Sequence, residues 1–231
     1  MSQPFDIMVV VAHPDDAEFG AAGTVARWTA DGKSVIYVVC TNGDKGTTDR
    51  RLAPDELSRI RMAEQREAAH RIGVGEVTFL GMPDQQLEET SEFRETIVRL
   101  IRTHRPDIVI TSDPYRRYLW HRDHRIVGQV VADAMFPYAR DHMAYPEMLA
   151  EGLEPHKVKE ALFFGAEEIN HRIDISETFP DKLAALQCHE SQVRELNVED
   201  LENWLRQRCR KAAEGTPYML AEAFYRVQMP D

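Results

Sequence analysis

Four consecutive residues near the amino terminus, His13-Pro14-Asp15-Asp16, carry the side chains that a metal-dependent reaction needs. One imidazole and one carboxylate can bind a metal, and the adjacent carboxylate is left to handle a proton. Neighbouring carboxylates share a buried site at low cost only when a cation offsets their repulsion. The alternative is that His13 or Asp16 caps the following helix while Asp15 is solvated. The complete cluster favours a metal site.

A second group, His121-Arg122-Asp123-His124, lies near the middle of the chain. Histidines three residues apart share one face of a helical turn, so one can bind a metal while the other reaches a substrate. Asp123 can orient an imidazole from behind. The letters His-Arg-Asp also occur in protein kinases, but the glycine-rich nucleotide loop, the strand lysine and the Asp-Phe-Gly motif are missing from this sequence. We therefore reject a kinase interpretation.

Two glycines, Gly20 and Gly23, open a predicted helix after a predicted strand, as in a dinucleotide-binding fingerprint. The first glycine position of that fingerprint is occupied by Glu18, whose carboxylate would face a pyrophosphate. The pattern therefore argues against a nicotinamide or flavin cofactor. We expect the glycines to allow close packing of the helix against the sheet.

Short apolar runs alternate with segments of helical spacing along the chain. The runs predict strands at residues 7–12, 34–40, 77–80, 107–111 and 161–164. The helical spacing predicts helices at residues 20–30, 55–72, 91–104, 124–136, 181–192 and 198–213. This rhythm predicts an α/β fold, a Rossmann-like and mainly parallel sheet with helices on both faces, in one domain over residues 1–231.

The chemically interesting residues follow the predicted strands. The His13 cluster follows the first strand, residues 41–46 follow the second, and residues 112–124 follow the strand at 107–111. Ligands of doubly wound sheets bind outside the carboxyl ends of the strands, so we expect these three segments to converge on one crevice. The proline-rich segment 137–159 has little periodicity and predicts a surface loop or lid.

Charge and composition exclude several classes of partner. With 28 Lys and Arg against 39 Asp and Glu, the net charge of −11 repels nucleic acid and anionic membrane surfaces. No stretch approaches the roughly 20 apolar residues that a membrane-spanning helix needs, and the first residues lack the basic flank of a signal peptide. We expect a cytoplasmic protein without a membrane partner. The three cysteines contain no Cys-x-x-Cys pair, so neither a disulfide framework nor a cysteine zinc site is indicated.

The two clusters together carry a family resemblance. The sequences AHPDDAEFGAAGT and HRDH resemble the LmbE or PIG-L family of metal-dependent de-N-acetylases. Looser similarity extends to TNGDKG after the second strand, RMAE beginning at Arg61, GMPDQQL around Asp84 and ALQCHESQ around His189. The resemblance therefore covers most of the chain.

The resemblance implies a role for nine residues. It implies metal ligands at His13, Asp16 and His124, a general base at Asp15, a histidine that stabilises or protonates the tetrahedral intermediate at His121 with Asp123 behind it, and substrate contacts at Arg61, Asp84 and Arg140. The implied metal is Zn²⁺, and two histidines with one carboxylate also suit Fe²⁺. Asp15 and His121 both stay open as the proton donor to the leaving amine.

The implied activity is removal of an acetyl group from a small amino-sugar substrate of the N-acetylglucosamine type. Two alternatives stay open: hydrolysis of another amide or an ester by the same residues, and a non-catalytic module that binds a small ligand. The Asp15-Asp16 pair argues against simple binding, which has no evident use for both carboxylates. We also expect a homo-oligomer, in which the apolar side chains of segment 137–159 cover the site or contact a neighbouring subunit.

Overall fold

The structure is a computed structural model that describes residues 4–194 and 198–230. In these residues the strands are β1 (Ile7–Val11), β2 (Val35–Thr41), β3 (Glu76–Met82), β4 (Ile108–Ser112), β5 (Glu160–Phe164), β6 (His171–Asp174) and β7 (Ala221–Gln228). The helices are α1 (Asp16–Ala30), α2 (Pro54–Arg71), α3 (Ser91–His104), α4 (Arg122–Met135), α5 (Pro146–Ala150), α6 (Phe179–Gln187), α7 (Glu190–Val193) and α8 (Val198–Ala212).

The strands form one seven-stranded sheet in the order β3-β2-β1-β4-β5-β7-β6. The first five strands in this order are parallel to their neighbours, and β7 is antiparallel to both β5 and β6. Every residue of β1 and β2 is buried, as expected of continuous apolar runs in a sheet that is covered on both faces. The predicted mainly parallel α/β fold is confirmed.

Alternate side chains of the central strands enter two separate cores. Met8 and Val10 pack on one face with α3 and α4, whereas Ile7, Val9 and Val11 pack on the other face with α1 and α2. This alternation follows from the two-residue period of a strand. The glycines of α1 lie on such a contact, because a Cβ at Gly20 would lie 2.7 Å from the Phe164 ring. The prediction that these glycines allow close helix packing is confirmed.

The chain reverses its direction across the sheet between β1 and β4. From β1 the chain steps outward to β2 and β3, and it then returns to place β4 on the other side of β1. The connections leaving β1 and β4 therefore diverge and open a crevice at the carboxyl ends of these two strands. The His13 cluster follows β1 and the His121 group follows β4, so the fold brings both to this crevice.

Segment 137–159 lies largely at the surface but is not a lid, so of the two predicted alternatives the lid is wrong. It connects α4 to β5, so it lies at the amino ends of the strands, away from the crevice. The segment contains α5, whose Met148 is buried in the core. The buried guanidinium of Arg102 donates hydrogen bonds to the carbonyl oxygens of residues 138, 139, 141, 144 and 145. These hydrogen bonds from one buried arginine fix the backbone of the segment, although the sequence of the segment has no regular apolar spacing.

Several other elements differ from the prediction. Strands β6 and β7 were not predicted, because neither HRID nor AEAFYRVQ contains the continuous apolar run on which the strand predictions rested. Helix α1 begins at Asp16 rather than at residue 20, and the predicted helix at 181–192 is two helices, α6 and α7.

No helix within residues 4–194 and 198–230 has both the length and the apolar character needed to cross a bilayer. All three cysteines are free thiols, as expected.

Candidate metal centre and active site

The turn that follows β1 places two carboxylates in different directions. Asp15 has a φ of 96°, a left-handed conformation that non-glycine residues seldom adopt. Asp16 is the first residue of α1, and its Oδ2 atom accepts a hydrogen bond of 2.8 Å from the backbone N–H of His13. The strained turn therefore separates the Asp15 side chain from the Asp16 side chain, although the two residues are adjacent in sequence.

Three side chains with ligand atoms converge beside this turn. His13 Nδ1 lies 3.2 Å from His124 Nε2, and the Asp16 carboxylate lies beside both, with Oδ2 3.4 Å from His13 Nδ1 and Oδ1 3.0 Å from His124 Nε2. Ligand atoms about 2.0–2.1 Å from a tetrahedral Zn²⁺ are separated by about 3.3 Å. Each of the three distances is thus close to the spacing between two ligands of a tetrahedral metal site. The Nδ1 atom of His124 has no hydrogen-bond partner among the described residues.

The opposite side of the His13 ring faces two buried carboxylates. His13 Nε2 lies 3.0 Å from Asp84 Oδ1 and 3.3 Å from Asp123 Oδ2. Carboxylates in this position fix the tautomer and the orientation of a metal-binding imidazole. Asp123 is therefore behind His13, and not behind His121 as expected from the resemblance. Asp84 is 4% exposed and contacts His13, and its expected contact with sugar hydroxyls stays a prediction.

His121 completes the group from the amino end of α4. Its ring lies edge-on to the His13 ring with a centroid separation of 4.7 Å, and ring nitrogens of His13, His121 and His124 lie within 4.8 Å of one another. His121 Nδ1 accepts a hydrogen bond of 3.2 Å from the backbone N–H of Asp123. In a neutral ring this leaves the proton on Nε2, so that atom is a hydrogen-bond donor.

Asp15 is held by a buried arginine. Arg61 Nη2 lies 3.2 Å from Asp15 Oδ2 and 2.5 Å from the Pro14 carbonyl oxygen, while Arg61 Nη1 donates to the Gly43 carbonyl oxygen at 3.0 Å. A Cβ on Gly43 would lie 2.6 Å from Arg61 Nη1, so a glycine is required there. Arg61 is 3% exposed, and its guanidinium is bound to Asp15 and to backbone carbonyl oxygens. The expected contact of Arg61 with sugar hydroxyls stays a prediction.

A chain of buried polar side chains behind the turn was not predicted. The backbone N–H of Asp15 donates to Gln65 Oε1 at 3.0 Å, Gln65 Nε2 donates to Glu18 Oε1 at 3.0 Å, and Glu18 Oε2 lies 3.1 Å from His189 Nε2. Glu18, Gln65 and His189 have no exposed surface. The only sequence signals were Glu18 next to the cluster and His189 within a loosely similar motif.

Arg140 is not brought to the group. It follows the carboxyl end of α4, whereas His121 and His124 are at the amino end of that helix, about 20 Å away for 14 residues. Its guanidinium stacks over Phe136 and donates a hydrogen bond of 2.7 Å to the carbonyl oxygen of Pro230. The structure therefore does not bring Arg140 to His13, Asp16 and His124, and the expected substrate contact at Arg140 stays an untested prediction.

Sequence comparison identifies the family of this chain. Residues 8–135, which run from the second residue of β1 to the end of α4 and include His13, Asp16 and His124, match the model of the family described as PIG-L, GlcNAc-PI de-N-acetylase. The chain belongs to the PIG-L family.

Relatives of this PIG-L chain cover most of its length. It is 34% identical over 210 residues to a diacetylchitobiose deacetylase of Thermococcus kodakarensis, covering 89% of this chain and 78% of the relative. It is 30% identical to a 1D-myo-inositol 2-acetamido-2-deoxy-α-D-glucopyranoside deacetylase of Mycobacteroides abscessus, covering 81% of each. An N,N'-diacetylchitobiose deacetylase structure from Pyrococcus horikoshii superposes with a TM-score of 0.91 at 29% identity, covering 96% of this chain and 83% of that one.

Charges in the PIG-L site are strongly coupled. Burial lowers the pKa of His13, but hydrogen bonds to Asp123, Asp16 and Asp84 outweigh it and raise the pKa to about 12. Burial raises the pKa of Asp16, and the nearby His124 and His13 outweigh this effect and hold it well below its usual value. Burial raises the pKa of Asp15 to about 6 against the opposing charge of Arg61. Burial and the neighbouring histidines lower the pKa of His121.

A cleft of about 360 Å³ lies beside the candidate ligands of this PIG-L chain. Its lining includes Asp16, His124, Trp120, Phe164, Leu205 and Arg208. The Trp120 ring lies edge-on to the His124 ring at 4.7 Å and its Nε1 donates to the Asp113 carbonyl oxygen at 2.9 Å. We call this space the side cleft.

Proposed function

We propose that this chain is a metal-dependent N-deacetylase that hydrolyses the acetamido group of an N-acetylglucosamine-type substrate. The observation that carries the proposal is that the adjacent residues Asp15 and Asp16 have different positions and partners at one turn. Asp16 lies with His13 and His124 at ligand spacing, whereas the adjacent Asp15 points to Arg61 and stays out of the ligand group. A ligand set with a separate, buried base is the arrangement that hydrolysis by an activated water requires.

The residues present fit a divalent metal. Two imidazole nitrogens and one carboxylate suit Zn²⁺ or Fe²⁺, and three protein ligands leave coordination positions open. Asp84 and Asp123 behind His13 are the outer carboxylates that such a site uses to orient its imidazole. When bound, the ion supplies Lewis-acid activation of water and of an amide carbonyl.

Asp15 is the proposed general base. A base works best when its pKa lies near the working pH, and burial raises the pKa of Asp15 to about 6. Arg61 holds Oδ2, while Oδ1 accepts no hydrogen bond from any residue in the described part of the chain. That oxygen is therefore available to take the proton of the attacking water. The side chain is 12% exposed, so water can reach it.

His121 is the proposed donor to the charge that develops on the acetyl oxygen. Because its Nδ1 atom accepts from Asp123 N–H, its Nε2–H is the group available to the substrate. A neutral imidazole suffices for this role. Removing a donor of this kind typically lowers the rate about 10²–10³-fold. The proton acquired by Asp15 is available to the leaving amine, so we assign that transfer to Asp15.

The amino-sugar substrate class is supported by the deacetylase names of the relatives. A non-catalytic binding module would have no use for the left-handed strain at Asp15, which costs of order 1–3 kcal/mol. Hydrolysis of an ester by the same residues is the second candidate. The expected homo-oligomer stays a prediction, for which sedimentation velocity at micromolar concentration is the measurement.

Metal analysis combined with an acetate-release assay tests the proposal. We expect bound Zn²⁺ or Fe²⁺ in freshly purified protein, and acetate release from N-acetylglucosamine and diacetylchitobiose in preference to an O-acetyl analogue. His124→Ala should lose metal and activity together, whereas His142→Ala, at an exposed position, should lose neither. Full metal content in folded His124→Ala would contradict the ligand set. Faster acetate release from the O-acetyl analogue than from the N-acetyl sugars would show that the substrate is an ester rather than an amide.

A further inference from the structure

Two guanidinium groups from separate segments face the side cleft. Arg116 lies on the loop between β4 and α4, and Arg208 lies on α8. Each is held flat over an indole, Arg116 over Trp120 at 4.4 Å and Arg208 over Trp204 at 4.8 Å. Stacking fixes the plane of a guanidinium while its N–H groups stay free to donate.

Neither guanidinium has an anionic partner in the described part of the chain. Within residues 4–194 and 198–230, Arg116 and Arg208 form no ion pair and no hydrogen bond. Both side chains line the side cleft, where desolvation and the positive charge of Arg116 lower the pKa of Arg208. The chain holds 39 acidic residues against 28 Lys and Arg, so an unpaired cationic couple at a cleft is unexpected.

The other charged groups around the cleft are already neutralised by closer partners. Lys182 Nζ lies 2.6 Å from Glu222 Oε1, and Glu222 also accepts hydrogen bonds from the backbone N–H groups of Gly23 and Thr24. Glu167 lies within range of Arg116 but is bound by Arg117 at 2.9 Å. Arg116 and Arg208 thus remain as the uncompensated charges.

The side cleft connects this couple to the proposed reaction centre. Asp16 and His124 line the same cleft, and the Trp120 ring contacts both the His124 ring and the Arg116 guanidinium. The two ring contacts of 4.7 and 4.4 Å place the Arg116 guanidinium carbon no more than about 9 Å from the His124 ring centroid. An amino sugar whose acetamido group lies at the metal ligands therefore reaches Arg116 with a substituent on its ring.

We propose that Arg116 and Arg208 form a subsite for an anionic substituent, a carboxylate or a phosphate, of the amino-sugar substrate. The proposal rests on the proposed deacetylase function for the identity of the sugar, but the anion subsite itself rests on the two guanidiniums. Planar guanidiniums bind carboxylate and phosphate oxygens through paired N–H groups. The subsite selects charged over neutral substrates.

Calorimetric binding of deacetylated sugars tests the subsite without requiring turnover. The probes are glucosamine as the neutral reference, glucosamine 6-phosphate and a carboxymethyl glucosaminide, at fixed ionic strength. We expect at least one anionic probe to bind about tenfold more tightly than glucosamine, and the double variant Arg116→Gln/Arg208→Gln to remove this preference while affinity for glucosamine is retained. Arg210→Gln, at an exposed position of the same helix as Arg208, is the matched control and should keep the preference.

The outcomes separate the subsite from the reaction. Equal affinities for the neutral and both anionic probes, or a preference that survives in the double variant, would overturn the subsite. Arginine-dependent binding without acetate release from any acetylated counterpart would support the subsite and reject the deacetylase assignment. Acetate release at equal rates from neutral and charged substrates, unchanged in the double variant, would support the deacetylase assignment and reject the subsite.

Discussion

His13 Nε2 lies 3.0 Å from Asp84 Oδ1, on the side of the ring opposite the Nδ1 atom that faces Asp16 and His124. Burial opposes protonation, but the surrounding carboxylates raise the pKa of His13 to about 12. Without metal, His13 is therefore protonated on both nitrogens at neutral pH. The proton on Nδ1 and a metal ion compete for the same lone pair.

Metal affinity should therefore depend on pH. Because pH 6–8 lies below a pKa of about 12, binding should release one proton from His13, and affinity should fall about tenfold for each unit that pH is lowered. Competition titrations against a chelator of known pH dependence measure this slope. Asp84→Asn should reduce metal affinity about 10–100-fold, the usual range for a carboxylate behind a histidine ligand. An affinity independent of pH would contradict the assignment of His13.

Asp15→Asn and Asp16→Asn should have different effects. Asp15→Asn keeps the size of the side chain and removes its basicity, so metal should stay bound while kcat falls roughly 10²–10⁴-fold. Asp16→Asn removes a charged ligand and should lower metal content together with activity. Metal analysis and single-turnover acetate release on the same preparations distinguish the two. Near-normal turnover of metal-loaded Asp15→Asn would transfer the role of base to another group.

Arg61→Met should leave Asp15 buried and without its cationic partner. Removing one member of a buried ion pair typically costs about 3–5 kcal/mol in the free energy of unfolding. Because Arg61 opposes the rise in the pKa of Asp15, its loss should also move the acid limb of the kcat/KM profile to higher pH. Urea unfolding and the pH profile measure the two effects. Arg59→Met, on the exposed face of the same helix, should change neither.

His189 should make the stability of the fold depend on pH. Burial lowers its pKa, but the contact with Glu18 outweighs burial and raises the pKa above the usual 6.5. Protonated His189 therefore stabilises the folded state fully below pH 6.5, and this contribution is lost as pH rises through the higher pKa of the folded state. His189→Gln should flatten the decline of unfolding free energy above pH 6.5, while the exposed His70→Gln should retain it. An unchanged decline in His189→Gln would exclude this residue as the origin.

The sequence by itself determined the features that depend on local pattern. Continuous apolar runs predicted strands β1, β2 and β4 to within one or two residues, because a strand buried on both faces has no reason to alternate. The position of His13, Asp15 and Asp16 directly after β1, and of His124 in the connection after β4, then predicted their meeting at the crevice. That meeting follows from chain order in a parallel sheet, so it required no knowledge of side-chain packing.

Only the tertiary structure decided which partner each polar side chain has. Asp123 lies behind His13, 110 residues away in sequence, rather than behind its neighbour His121. Arg61 donates a hydrogen bond to Asp15, and Arg140 lies beyond the carboxyl end of α4, away from His121 and His124. A side chain's direction is set by the helix face it occupies and by what packs against that face. Contacts between distant segments leave no periodicity in the sequence, so the arrangement around each carboxylate appears only after the chain has folded.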